Sequence, residues 1–195
     1  MKLCLYGGSF DPVHNGHLFY ARKALEQLAP DQMILMPVNR SPFKKENPAA
    51  GKHRLAMLRR AFAEMENVHI STWELEKPGP SYTIDTVYYL ISLYDAVEKL
   101  YILAGMDQMA AIQKWKDIDK MLTLGVSFAV FPRKGYSFSD IHPDFRPHCI
   151  TIDGPVVDIS ASALREKIRK GENVANLIPE SVLNYIQENN LYSHA

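Results

Sequence analysis

The stretch "GGSFDPVHNGH", residues 7–17, joins the first apolar run of the chain to its first helical pattern. The run "KLCLY" at 2–6 predicts a strand, and Gly7-Gly8 ends it. From His17 onward, leucine and alanine residues recur at helical spacing as far as Leu28 and predict a helix. A strand, a glycine-rich corner and a helix in this order are typical of the first unit of an α/β fold.

The same alternation continues along the rest of the chain. Apolar runs predict further strands at residues 32–38, 68–76, 99–105, 125–133 and 149–153. Helical spacing predicts helices at 52–65, 82–95, 160–171 and 179–191, with a helical or broken helical stretch at 106–122. Residues 134–148 show no period and predict an exposed excursion. This order predicts an α/β fold, a Rossmann-like doubly wound parallel sheet with a small C-terminal helical part.

Length and composition limit the class of protein. We expect a single domain over residues 1–195, with an α/β core at 1–153 and C-terminal helices at 154–195. Lys and Arg together number 22, as do Asp and Glu, so the chain has no net charge that would attract nucleic acid or an anionic membrane broadly. Any cationic site must therefore be local.

Cysteine usage and hydropathy predict the compartment. Cys4 and Cys149 each lie in a strand pattern, which predicts two buried thiols in a reducing compartment. The opening "MKLCLYGG" has too few apolar residues for a signal peptide, and no later run approaches the length of a membrane span. We expect a cytoplasmic protein.

The corner at 7–17 has the chemistry of an anion site. Gly7-Gly8 would let a ligand approach backbone amides, and the start of the following helix adds partial positive charge. His14 and His17 are three positions apart, so on a helical turn their rings share a face and both can donate to one phosphate chain. The alternatives are an ordinary glycine turn with structural histidines, or a zinc site. Zinc needs three or four ligands, and no other Cys or His cluster supplies them.

Two sequence motifs resemble those of the nucleotidylyltransferase superfamily. His14-Asn15-Gly16-His17 resembles its H-x-G-H signature, whereas neither the G-x-G-x-x-G nor the G-x-x-x-x-G-K-[ST] phosphate motif occurs. Far downstream, "ISASALR" (159–165) resembles its I-S-S-T-x-I-R element, although Ala161 stands where serine is common. A helix start with two hydroxyls and an arginine one turn later suits a polyphosphate, although Ser160 alone would simply cap a surface helix. The resemblance implies that His14, His17 and Arg165 are catalytic, and that the C-terminal helices carry the second phosphate-binding motif.

Segments in the middle and at the end of the chain are similar to those of bacterial nicotinate-nucleotide adenylyltransferases. They are "PVNRSPFK" (37–44), "HRLAML" (53–58), "PSYTIDT" (80–86), "AGMDQMAAIQKW" (104–115) and "VLNYIQENNLY" (182–192), so the similarity covers essentially the whole chain. It implies transfer of AMP from ATP to nicotinate mononucleotide in NAD biosynthesis, giving nicotinate adenine dinucleotide and pyrophosphate. It implies Mg²⁺ with ATP and leaves a homo-oligomer open. Another small adenylyltransferase, such as one acting on phosphopantetheine, and a non-catalytic nucleotide sensor are the alternatives.

The resemblance also implies which residues bind each substrate. ATP would be bound by Gly8, Ser9, Phe10, Gly105, Asp107, Ile159, Ser160 and Ser162. The mononucleotide would be bound by Asn39, Lys44, Ser81, Tyr82, Thr83 and Trp115. Asp107 can accept from a ribose hydroxyl, Trp115 can stack on a pyridinium ring, and hydroxyls and amides near a helix start suit the ring's carboxylate. Core packing for Trp115 and an ordinary helix start at Tyr82 are the alternatives.

Two positions qualify this assignment. Phe43 stands where the family often has histidine, so either Lys44 or Lys45 could supply the cation of that loop. Arg133 follows a strand pattern and resembles a family arginine near the phosphates.

Overall fold

A single parallel sheet organises the described part of the chain. The computed structural model describes residues 1–39 and 49–193. Within them the strands are β1 (Lys2–Gly8), β2 (Gln32–Pro37), β3 (Val68–Ile70), β4 (Lys99–Gly105), β5 (Ser127–Phe131) and β6 (Cys149–Thr151). Their order across the sheet is β3-β2-β1-β4-β5-β6, and every neighbouring pair is parallel. The prediction of an α/β Rossmann-like sheet is confirmed.

Helices connect these strands. They are α1 (Asn15–Leu28), α2 (Gly51–Ala61), α3 (Trp73–Glu76), α4 (Thr83–Leu93), α5 (Met106–Met109), α6 (Ile118–Thr123), α7 (Ala161–Arg169) and α8 (Glu180–Glu188). Short 3-10 turns lie at Ile112–Lys114, Phe138–Asp140 and Pro143–His148. Of the two alternatives predicted for 106–122, a helical or a broken helical stretch, the structure has the broken one. None of the helices in the described residues is long and apolar enough to cross a membrane.

Side chains of the central strand enter two separate hydrophobic cores. On β1, Cys4 and Tyr6 pack with α1, α2, α7 and α8, while Leu3 and Leu5 pack on the other face with α4, α5 and α6. This burial on both faces explains why the strand sequences are continuously apolar rather than alternating. The C-terminal helices share the first core, because Leu164 of α7 packs in the same cluster as α1.

The sheet reverses its strand order between β1 and β4. β1 connects outward to β2, whereas β4 lies on its other side and leads to β5. Their carboxyl ends, Gly8 and Gly105, therefore flank a crevice, which is where ligands bind in open α/β sheets. β1 extends past the predicted end at residue 6, because Gly7 and Gly8 pair with the last residues of β2.

The predicted strand at 68–76 is wrong beyond Ile70. Residues 73–76 form α3 instead, since contacts with α4 prevail over the alternating pattern. Trp73 stacks on Tyr89 with ring centroids 4.5 Å apart, and the buried Glu74 carboxylate accepts a hydrogen bond from the Thr86 hydroxyl.

Two further predictions need correction. Residues 134–148 are not a wholly exposed excursion, because Ile141 and Phe145 are buried in the core beneath β5 and hold the segment down. Cys4 is fully buried as predicted, but Cys149 is only half-buried, because β6 lies at the edge of the sheet.

Both ends of α7 have residues suited to helix termini. The Ser160 hydroxyl oxygen accepts from the Ala163 amide at 3.2 Å, which makes Ser160 the N-cap. Gly171 follows the helix with φ +70°, a conformation that glycine adopts without steric cost.

Candidate active site

The glycine corner closes tightly at the end of β1. A Cβ atom added to Gly8 would lie 3.2 Å from the Phe10 ring, so the ring fits here because Gly8 has no side chain. Phe10 itself is buried and packs edge-on against Tyr6, with centroids 5.5 Å apart. Phe10 therefore supports the corner from within the core while the backbone of Gly8 and Ser9 lines the neighbouring cavity.

The two histidines lie together, but not as a pair on one helical turn. α1 begins at Asn15, so His14 is its N-cap and only His17 is helical. The rings stack with centroids 3.7 Å apart and planes at 29°. The His14 amide donates to His17 Nδ1 at 3.1 Å. Since Nδ1 accepts this hydrogen bond, the ring proton of the uncharged form of His17 would be on Nε2.

His14 is a neutral donor inside the protein. Burial lowers its pKa from 6.5 to about 3, and the positive charge of Arg133 adds to this effect. Its Nδ1 atom is buried and has no hydrogen-bond partner among the described residues. A neutral imidazole beside a cation suits a ligand that brings negative charge and accepts hydrogen bonds, as phosphate does.

The glycine of the H-x-G-H motif has a steric role. A Cβ atom at Gly16 would lie 3.1 Å from His14 Nδ1 and 3.2 Å from Val157 Cγ1. Gly16 thus lets the His14 ring and the segment before α7 approach the same turn.

Arg165 reaches the corner from the far end of the sequence. Its Nη1 donates to the carbonyl oxygen of Asp11 at 2.6 Å. Ser160 and Ser162 are both exposed at the start of α7. Since the Ser160 oxygen accepts from the Ala163 amide, its hydroxyl hydrogen is left to serve a ligand. The structure therefore brings together both motifs that resemble the superfamily.

Arg133 connects the end of β4 with the start of α7. Its Nε lies 3.5 Å from Asp107 Oδ1, and its Nη1 donates to the Ile159 carbonyl at 3.5 Å. A Cβ atom on Gly105 would lie 2.4 Å from Asp107 Oδ1 and 3.1 Å from Arg133 Nε, so this ion pair requires glycine at the strand end. Asp107 and Ile159, both predicted to contact ATP, thus contact the same guanidinium.

A second part of the site is a cavity of about 220 Å³ beside the corner. Ser81, Tyr82, Thr83 and Trp115 line it together with Gly8 and Ser9. Tyr82 is the residue before α4, so the first amides of that helix lie at the cavity. Trp115 also packs edge-on against Phe128, with centroids 6.1 Å apart, so it belongs to the cavity wall and to the core margin.

Asn39 and Lys44 are the two remaining predicted residues of the mononucleotide site. Asn39 is exposed after β2, and its side-chain amide donates to the Lys77 carbonyl at 3.0 Å. It is not among the residues that line the cavity. Lys44, with its neighbours Phe43 and Lys45, lies outside the described residues.

Glu74, which is not among the residues predicted from the sequence, lines the same cavity and is 4% exposed. Burial raises the pKa of its carboxyl group, against the opposing effect of the Thr86 and Ser81 hydroxyls and Lys77. Its local sequence pattern is that of an exposed strand position, so nothing in that pattern marks it.

Arg54 was also missed. It is 2% exposed and donates to the carbonyl oxygens of Ser9 at 3.0 Å and Val38 at 2.7 Å, and so joins the loops that follow β1 and β2. A sequence signal existed for it, because Arg54 lies at helical spacing with the buried Met57 and Leu58.

Comparisons with known proteins show the family of this chain. A profile of the family described as cytidylyltransferase-like matches residues 5–167. A Methylacidiphilum infernorum (isolate V4) protein named "Probable nicotinate-nucleotide adenylyltransferase" is 38% identical, covering 98% of this chain and 92% of its own. A Clostridium tetani protein (strain Massachusetts / E88) of the same name is 37% identical, covering 98% of both.

A solved structure shares the fold. The Plasmodium falciparum nicotinic acid mononucleotide adenylyltransferase complexed with NaAD superposes with a TM-score of 0.79. The match covers 98% of this chain and 97% of that one at 20% identity.

Proposed function

The chain belongs to the cytidylyltransferase-like family and, within it, to the nicotinate-nucleotide adenylyltransferases, and from this we propose how its cleft transfers AMP from ATP to nicotinate mononucleotide. The products are nicotinate adenine dinucleotide and pyrophosphate. A phosphate oxygen of the mononucleotide attacks the α-phosphorus of ATP. The new P–O bond forms as the bond to the pyrophosphate oxygen breaks.

This reaction needs alignment and charge stabilisation rather than a base. A phosphate monoester is already anionic at neutral pH, so no proton has to be removed from the nucleophile. The two substrates must instead be held in line, and the charge that builds on the α-phosphoryl oxygens and on the leaving pyrophosphate must be neutralised. The donors of the corner and of α7 are suited to both tasks.

ATP lies across the corner in this proposal. His14 and His17 donate to the α- and β-phosphate region, while Arg165 and the Ser160 hydroxyl bind the β/γ end, with Ser162 beside them. Asp107 accepts from the ribose of adenosine near the end of β4. The observation that carries the proposal is the 2.6 Å hydrogen bond from Arg165 Nη1 to the Asp11 carbonyl, because it brings the α7 arginine to the histidine corner.

The mononucleotide occupies the adjoining cavity. Trp115 offers its ring face to the pyridinium, and the first amides of α4, after Tyr82, bind the ring's carboxylate. A carboxylate gains more from a helix N-terminus than a neutral amide does, so the acid is the preferred substrate. Since Gly8 and Ser9 line this cavity, the attacking phosphate emerges beside the corner where ATP lies.

Mg²⁺ enters the proposal as part of the nucleotide. Among residues 1–39 and 49–193 no group of three or more His, Cys, Asp or Glu side chains could hold a metal ion. The donors at the corner are amides, imidazoles and a guanidinium, which fit phosphate oxygens and not a bare cation. The triphosphate oxygens would therefore hold Mg²⁺, which neutralises phosphate charge when bound.

We place the enzyme in the cytoplasm, where a reducing environment suits its two free cysteines.

Turnover with competing acceptors tests the proposal. We expect pyrophosphate release from ATP with nicotinate mononucleotide, at least about tenfold lower kcat/KM with the amide mononucleotide, and none with phosphopantetheine. Equal kcat/KM for the acid and the amide would contradict the assignment of the α4 amides. Turnover with phosphopantetheine alone would favour the rival adenylyltransferase, and no turnover with any acceptor would favour a nucleotide sensor.

A further inference from the structure

We infer that Tyr192, near the C-terminus, is a positioning residue for AMP transfer. Its hydroxyl donates a hydrogen bond to the Asp11 carboxylate, so this carboxylate does not pair with the Arg165 guanidinium. Arg165 therefore stays available to bind the triphosphate. The inference rests on the proposed function. It adds a residue that lies 181 positions from its partner in the sequence and that does not touch the substrates.

The contact itself is short and buried. The Tyr192 hydroxyl donates to Asp11 Oδ1 at 2.6 Å, and Asp11 is 1% exposed. The other carboxylate oxygen, Oδ2, accepts from the Ala49 amide at 3.4 Å. Both oxygens of this buried carboxylate are therefore occupied by neutral donors.

The same residue holds Arg165 through its backbone. Arg165 Nη1 donates to the Asp11 carbonyl at 2.6 Å, so the guanidinium lies next to a buried carboxylate without pairing with it. Over the described part of the chain, Arg165 forms no ion pair with any acidic side chain. A guanidinium beside an unoccupied carboxylate would form a bidentate ion pair, because such pairs are the strongest hydrogen-bonded contacts available to arginine.

The Tyr192 hydroxyl prevents an ion pair between Arg165 and the Asp11 carboxylate. Burial and the Asp11 charge raise the pKa of Tyr192 far above its usual range, so its hydroxyl stays a proton donor at every physiological pH. Arg54 contributes positive charge to the same group, but its Nε and Nη1 groups donate to the carbonyls of Ala49, Ser9 and Val38. Tyr192 is thus the side chain that satisfies Oδ1.

Two unusual backbone conformations after α8 position Tyr192. After α8, Asn190 and Tyr192 adopt φ +48° and +63°, left-handed conformations that non-glycine residues rarely take. A second link joins the residues before α8 to the corner, since the Asn15 amide donates to the Leu177 carbonyl at 2.9 Å. The C-terminal part of the chain therefore contacts the phosphate corner on both sides of His14.

Tyr192→Phe removes the hydroxyl and keeps the ring. We expect kcat about tenfold lower and a raised KM for ATP, with the KM for nicotinate mononucleotide unchanged, because only the triphosphate end loses its arginine. The matched control is Tyr185→Phe, which removes a tyrosine hydroxyl from α8 that bonds His53 at 2.9 Å, away from the corner. Tyr185→Phe should retain the wild-type kcat. Equal kinetic losses in both variants would overturn the inference.

A charge test separates positioning from simple stabilisation. If the free Asp11 carboxylate captures Arg165, removing its charge should rescue the variant, so the double variant Asp11→Asn, Tyr192→Phe should have a higher kcat than Tyr192→Phe alone. A purely structural role predicts that the double variant is the worse of the two, and that result would overturn the inference. All variants are assayed below the lowest melting temperature of the set. Wild-type turnover in the same assay distinguishes a failure of this inference from a failure of the proposed function.

Discussion

At the scale of single residues, the site combines two stacked histidines with cations that come from distant parts of the chain. His14 is buried and lies against His17, and Arg133 lowers its pKa further. Arg165 approaches from α7. An anion that enters this corner meets donors that need no reorganisation, which is the arrangement that favours charge stabilisation in a transition state.

The buried His14 makes stability depend on pH. Its pKa is lowered from 6.5 to about 3, so between these values the unfolded chain binds a proton that the folded protein does not. The free energy of unfolding therefore falls as the pH is lowered through this window, by at most about 1.4 kcal/mol per pH unit from this group. Urea denaturation of wild type and His14→Asn across the window should show a shallower slope for the variant. An identical slope would mean that His14 is charged in the folded protein.

His17 should be essential for turnover and dispensable for folding. Replacing His17 with alanine removes one donor to the phosphates, and we expect kcat to fall by about two to three powers of ten, as for a lost oxyanion donor. The KM for the mononucleotide should change little. His69→Ala, on an exposed position of β3, is the matched control in the same pyrophosphate-release assay. Normal turnover by His17→Ala would remove His17 from the site.

At the scale of elements, the cavity is built by short helices that depart from the sheet. α3 carries Glu74 under the start of α4, and the 3-10 turn Ile112–Lys114 presents Trp115. The start of α4 faces the space between them. These pieces are too short to be stable alone, so packing against the sheet determines their positions.

Trp115→Ala tests whether that cavity holds the pyridine ring. Loss of the stacking face should raise the KM for nicotinate mononucleotide about tenfold or more and leave the KM for ATP nearly unchanged. The other tryptophan, Trp73, is the control, because it stacks on Tyr89 and does not line this cavity. Trp73→Ala should therefore leave the KM values for both substrates unchanged. Equal increases of both KM values in Trp115→Ala would assign the ring to core packing.

At the scale of the whole molecule, the sheet brings distant segments to one edge. The carboxyl ends of β1 and β4 face the same crevice, and the C-terminal helices pack on the core that α1 shares. This is why a motif at 159–165 meets a corner at 7–17. The alternation of strands and helices follows from local patterns, because hydrophobic period is a property of neighbouring residues, whereas the order of the strands across the sheet depends on how the whole chain packs.

Several features could not be derived from local patterns. The first turn of α1 begins before His17, α3 replaces a predicted strand, and Ile141 is buried inside a segment with no period. In each case a contact with another element prevails over local propensity. Glu74 was missed for the same reason, since its burial depends on α4.

The sequence by itself determined the parallel α/β class and the two phosphate-binding motifs, because hydrophobic period, glycine placement and helix capping are encoded within a few neighbouring residues. The tertiary structure alone decided that Arg133 bridges Asp107 to Ile159. It also decided that Tyr192 bonds Asp11. These contacts join residues whose distance in space depends on how every intervening element packs, and no local pattern records that distance.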